Sequence, residues 1–463
     1  MLQEAGAGEL SNGVRRVAFR PGRVDVEAAH EVSRDVLHAA PAVAVRPHER
    51  RGGVELVDPA QASIEHDRLP VQDAGVDVGP SQWVKMSHGV PRVYPPRSIR
   101  VNPVSWPRHV ANLIDVLKAA GGADDGPAAL QDLDERRVRW AVVTGLGPLL
   151  RAVVPEGSRL TRSPAWPLVL GADLTARLEA ADRLEAVVEI LDAAEGRLRP
   201  PALLKGISLC AQEYPQPHLR PMRDLDLLVE RDAVPEVESI LSRLGYERQG
   251  AAEAYRSHHH TAPFVHPRSQ VWVEVHHRLF PSRSALGSEA LFGEEAVRDE
   301  LRDSTLRGRP VRRLTPEMQV VYLSAHWASS SKLLRGPGGL LPLLDLMYLV
   351  RAHDVRWPVV LARLDGSAAA PSVYALASYA AHAGVVALPA GVLDGLRRRQ
   401  RAFNPLTRAL AFAMIDAFMV EGRRLPPGTR TALAALWKAL FLSGSPLANL
   451  ARVPALVRER ADG

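Results

Sequence analysis

Two aspartates at alternate positions, Asp224 and Asp226 in the run Arg223-Asp224-Leu225-Asp226-Leu227-Leu228-Val229, are the residues best placed to do chemistry. In a strand, successive side chains point to opposite faces, so these two acids share one face and Leu225 and Leu227 the other. Carboxylates that close repel each other unless a cation sits between them. A third acid follows the same logic in Val271-Trp272-Val273-Glu274-Val275-His276, where the valines define a buried face and Glu274 projects from the opposite one. Lys205-Gly206 precede the pair, and Arg220 and Arg223 flank it. Three oxygen ligands on neighbouring strands, beside a Lys-Gly turn and arginines, suit magnesium and a polyphosphate.

Each of these residues also has a plainer reading. A solvated strand face with surface ion pairs would explain Asp224 and Asp226, at no more than ~1 kcal/mol per pair. Gly206 would let a phosphate approach the backbone at a helix start, where free N–H groups favour anions, or is simply a turn. Ser208 would hydrogen-bond that phosphate or sit on a helical surface. Lys205, Arg220 and Arg223 are candidate triphosphate ligands, the arginine fork suiting paired phosphate oxygens. Six of the sixteen histidines fall between 258 and 277. A zinc site is the sharp explanation, but the spacing matches no zinc pattern and no cysteine assists. Strand positions near a site's mouth explain them better, with His276 as a partner of Glu274.

The elements that must position these groups are legible in outline. Residues 201–229 read as a short strand (202–205), a helix (206–214) and a second strand (223–229). Asp232 is a plausible N-cap for a helix with the stripe Val234, Val237, Ile240, Leu241 and Leu244, stopped by Gly245. Two or three strands are expected between 253 and 277, and one more at 309–314. Thr315-Pro316-Glu317 is a good helix start. Upstream, apolar stripes predict helices at 109–120, 136–154 and 174–194. Residues 1–100 show no sustained periodicity and read as a poorly structured or spurious extension, with Met86 a possible start.

With these residues in place, the chain resembles a known family. Gly206, the Asp224-x-Asp226 pair and Glu274 are similar to the signature of the nucleotidyltransferase superfamily of the DNA polymerase β type. LLKG, LRPMRDLDLLV, LGY at Leu244-Gly245-Tyr246 and VEVHHRL resemble one bacterial branch of largely uncharacterised nucleotidyltransferase proteins, over about residues 170–360. Unlike the wider superfamily, this chain has Ile207 between Gly206 and Ser208. The resemblance implies a small mixed sheet with flanking helices and a two-metal reaction. Asp224 and Asp226 would hold two Mg2+ ions, Glu274 would complete the second site, and an acceptor hydroxyl would attack the α-phosphorus of an NTP. His326, Lys332 and Asp345 fall in the stretch resembling the family's C-terminal part. Asp345, in a leucine-rich helix, is costly to bury unpaired. It either reaches the cleft or pairs with an arginine.

The expected fold class is therefore α+β. A helical segment (101–198) packs on a polymerase β-like core (199–314), followed by a helical domain (315–445) and a slightly basic tail (446–463). Composition sets loose bounds: 463 residues, 46% hydrophobic and 24% charged, suit a soluble protein of two or three domains. A formal charge of +6 discriminates poorly between anionic partners. Cys210 is the only cysteine, which forbids an intrachain disulfide and fits a reducing cytoplasm. No signal peptide is expected, and residues 366–393, broken by Pro371 and Pro389, do not read as a membrane span. Low aromatic content argues against single-strand nucleic-acid binding. The expectation is a magnesium-dependent enzyme using an NTP and an unidentified small-molecule, peptide or protein acceptor. The alternatives are a non-catalytic nucleotide-binding module and a toxin–antitoxin component.

Overall fold

A computed structural model describes residues 111–122, 126–330, 338–423 and 426–441, together with 447 and 451–454. The expectations for residues 1–100 and for Lys332 lie outside the described residues. The architecture is mixed α+β, with a seven-stranded sheet among many helices. The strands are β1 (Ala202–Leu203), β2 (Asp224–Leu228), β3 (Glu247–Arg248), β4 (Phe264–Val265), β5 (Trp272–His276), β6 (Leu301–Leu306) and β7 (Arg309–Leu314). Their order in the sheet is β3-β4-β5-β2-β1-β7-β6. β2 runs parallel to β5 and antiparallel to β1, and β1 runs parallel to β7.

Alternation in β2 and β5 decides which layer covers which face. Leu225, Leu227, Val273 and Val275 are fully buried on one side. They join Leu184, Val187 and Ile190 of helix α4 (Trp166–Ala194) and Val237 and Leu241 of helix α6 (Val234–Arg243) in one apolar cluster. The opposite side presents Ala202, Leu204, Leu228 and Leu314 to a second cluster. That cluster holds the helices before the sheet, α1 (Leu113–Ala120), α2 (Glu135–Val143) and α3 (Gly147–Val153). It also holds α7 (Glu294–Asp299), which precedes β6, and α8 (Pro316–Ser329), α9 (Leu341–Ala352), α10 (Trp357–Arg363) and α11 (Ala370–His382), which follow the sheet. Each leucine buried this way contributes about 1.5–3 kcal/mol, so both faces are pinned.

Several local expectations need correction. The single helix over 136–154 is two, because Gly145 at φ +83° breaks the chain between α2 and α3. The helix after β1, α5 (Lys205–Cys210), ends four residues before the expected 214. Asp232 does not cap α6: it lies in a 3-10 turn, and the N-cap is Ala233 with no side-chain bond. β6 is an unexpected strand, and two positive-φ residues, Arg307 and Gly308, join it to β7 as a tight hairpin requires. Thr315 does cap α8, its hydroxyl accepting from Met318 N–H.

Candidate metal and nucleotide site

β2 and β5 lie in register so that Asp226 pairs with Glu274, Asp224 with Trp272 and Leu228 with His276. Side chains paired this way share a sheet face, so both carboxylates rise from the side packed by α8. Asp226 is 1% exposed and His276 is fully buried. His276 Nε2 lies 2.8 Å from Asp226 Oδ1 and 3.4 Å from Glu274 Oε2. Carboxylate oxygens only accept, so Nε2 carries a proton. Lys205 Nζ donates to the same Asp226 Oδ1 at 2.6 Å.

The charges are strongly coupled. Burial works against the charge on Asp226, yet Lys205 and the His276 hydrogen bond hold its carboxyl well below the usual range. Burial likewise opposes the charge on Lys205, and Asp226 keeps the ammonium above its ordinary value. Glu274 is lowered against its burial by His276, and His276 is raised against its own by Asp226 and Glu274. Lys205 is held at φ +49°, a sparsely populated conformation for a side chain of this size. Backbone of this kind clusters at functional sites.

Three donor atoms, one each from Asp226, Glu274 and His276, lie within 4.8 Å of one another, close enough to hold a metal ion. Asp224 occupies the neighbouring outward position on β2, half-buried, about two strand steps of 3.3 Å away. The donor set suits a divalent cation: the carboxylates favour Mg2+ and Mn2+, and His276 Nε2 would join them as a ligand only on giving up its proton.

The other expected residues divide. Gly206 is the second residue of α5, and a Cβ there would come within 2.9 Å of Met222 Cβ, so packing demands the glycine. Ser208 is not on a helical surface: it is fully buried, and its Oγ has no hydrogen-bond partner among the described residues. Arg223 is exposed beside Asp224. Arg220 is paired with Asp345. Its Nε and Nη2 donate to Asp345 Oδ1 and Oδ2 at 2.6 and 2.9 Å, and its Nη1 donates to the Pro221 carbonyl. Tyr214 donates to Asp345 as well, at 2.6 Å. Asp345 is therefore the paired aspartate of its two readings, and this buried triad ties the approach to β2 onto α9. His326 is half-buried on α8, its ring 6.0 Å from that of Tyr322.

Sequence reasoning missed Tyr322. It is buried on α8, and its hydroxyl has no hydrogen-bond partner among the described residues. Burial first, then the charges of Asp226, Glu274 and Asp224, push it above the usual phenol range against the pull of Lys205. The histidines also gather more tightly than their spacing implied. His260 bridges to His276 across the sheet, and the His259 and His260 rings lie 5.1 and 5.3 Å from that of His276. Burial and the neighbouring imidazoles push His259 down to about 2.

Residues 133–383 match the family described as "uncharacterised nucleotidyltransferase". That is more than half of the chain, and the chain belongs to this family. Comparison with curated proteins finds no match, nor does comparison with solved structures. No helix among the described residues is long and apolar enough to cross a membrane.

Proposed function

We propose that the protein is a nucleotidyltransferase of the polymerase β type, moving a nucleoside monophosphate from an NTP to a hydroxyl of a small-molecule, peptide or protein acceptor. The observation that carries this is the in-register pairing of Asp226 with Glu274, with Asp224 on the same strand face, in a member of this family. The acceptor oxygen bonds to the α-phosphorus, the α–β bridging P–O bond breaks, and pyrophosphate leaves with the electron pair. Asp224, Asp226 and Glu274 would hold two divalent ions, taken as Mg2+, with His276 supporting. When bound, such ions screen the triphosphate and ease loss of the acceptor proton.

The chain's own residues do the rest. Asp224, Asp226 and Glu274 repel a triphosphate at close range, a repulsion that divalent cations between them would offset. Lys205 balances Asp226 in the resting protein, and His276 fixes both carboxylates through one N–H. Glu274, less buried than Asp226, is the carboxylate placed to receive the acceptor proton. Tyr322 O–H and the exposed Arg223 are donors for phosphate oxygens. We assign residues 199–314 to the transfer core and 315–445 to the helical domain that closes over it.

A nucleotide-binding module without turnover is the second reading, favoured by the Lys205–Asp226 ion pair, which places an ammonium where a cation would otherwise bind. Incubation of the protein and an extract with NTPs labelled at the α- or γ-phosphorus separates the two. Transfer of α-label alone, lost in Asp224→Asn/Asp226→Asn, supports the enzyme. Binding with no label transferred leaves the module.

A further inference from the structure

The next register row on the carboxylate-bearing face runs His276, Leu228, Ala202, Arg312 across β5, β2, β1 and β7. Beyond it opens a cleft of about 400 Å³, in the size range of small-molecule sites. Its floor is apolar, formed by Leu228, Leu279, Phe292 and Val297. Its walls carry Arg231, Arg278, Arg298 and Arg312, with Glu230, Asp232 and Glu294.

The glutamates are already shared. Glu294 lies 3.2 Å from Arg278 and 3.9 Å from Arg231, and Glu230 lies 3.1 Å from Arg199 and 4.0 Å from Arg298. Two carboxylates thus serve four guanidiniums. Arg312 donates from Nε to the Pro200 carbonyl at 2.8 Å and, among the described residues, has no carboxylate within ion-pair distance. Arg278 Nε is buried with no hydrogen-bond partner among the described residues. Burial presses the Arg312 guanidinium below its usual range, and the like charges of Arg199 and Arg298 add to this despite Glu230 and Asp303. An anion is the partner this wall lacks, and the floor would take an apolar body.

We infer that the cleft binds a small amphipathic anion, its carboxylate or phosphate head on Arg312 and Arg298 and its apolar body on Leu228, Leu279 and Phe292. At a water's share of about 30 Å³ per heavy atom, the volume suits a ligand of roughly a dozen non-hydrogen atoms. Lys205, Asp224, Asp226 and Glu274 do not line the cleft, so the inference stands apart from nucleotidyl transfer.

Equilibrium dialysis with labelled octanoate tests it, with octylammonium as the same chain bearing the opposite charge. The expected result is saturable octanoate binding at one site, weakened tenfold or more by Arg312→Gln and by the surface variant Arg298→Gln. Asp224→Asn/Asp226→Asn should bind octanoate like the wild type. The inference is overturned if octanoate shows no saturable binding, if both arginine variants bind it unchanged, or if octylammonium binds equally well. Displacement of octanoate by MgATP would also overturn it, since the cleft would then be part of the nucleotide site.

Discussion

Asp226 accepts from Lys205 and His276 on a single oxygen while almost wholly buried. A buried carboxylate is tolerated only while paired, and removing one partner of such a pair typically costs about 3–5 kcal/mol. Lys205→Met should therefore lower stability toward the lower end of that range, because His276 still donates. A urea unfolding midpoint equal to that of the wild type would contradict this electrostatic account. The acids were legible from the sequence because period-two alternation puts Asp224, Asp226 and Glu274 opposite buried leucines and valines. His276 was legible as a partner of Glu274, whereas Lys205, expected as a triphosphate ligand, is paired with Asp226 in the resting protein. Tyr322 was not: it arrives from a helix whose apolar pattern gives no sign that one phenol will face three carboxylates.

At the scale of elements, β2 and β5 carry the carboxylates, and α5 and α9 hold β2 in place. Met222, just before β2, fills the space above Gly206. Gly206→Ala inserts a methyl where there is no room, and overpacking of this kind costs about 1–3 kcal/mol. The accompanying readout is a shift in the environment of Lys205; retention of full thermal stability would show that Met222 can yield. The Tyr214–Asp345–Arg220 triad makes a second anchor. Asp345→Ala leaves the Arg220 charge buried and unpaired, a loss of about 3–5 kcal/mol measured by chemical denaturation. Asp345→Asn, which still accepts a hydrogen bond, should lose less; equal losses would mean that packing rather than charge is at stake. The pairing of Arg220 with Asp345 could not be read from the chain, since nothing local distinguishes it from an arginine facing phosphate. Equally hidden was β6, whose run Leu301-Arg302-Asp303-Ser304-Thr305-Leu306 is largely exposed at the sheet edge and lacks the buried alternation that marks β2 and β5.

Across the whole molecule, the sheet is held between two apolar clusters, and the helices that follow it are tied together by polar contacts as well. Glu317, in the first turn of α8, accepts from the backbone and side chain of Arg356 at the start of α10. Burial opposes its charge, but these bonds keep its carboxyl below the usual range. A lowered folded value means stability that is present above the unfolded glutamate range and lost as pH falls through the folded value. Wild type should therefore exceed Glu317→Gln in stability at pH 6–7. The gap should close as unfolding is followed down to pH 3; a gap independent of pH would assign the contact to packing alone.

On the proposed reading, the carboxylate row binds a nucleotide together with divalent metal. Calorimetric titration of each of the four NTPs, with Mg2+ and with EDTA, into wild type and Asp224→Asn/Asp226→Asn tests it most directly. The expected result is metal-dependent binding of at least one NTP by the wild type and its loss in a double variant that unfolds like a folded protein. Absence of binding by folded wild type, or binding equal in the double variant, would contradict it.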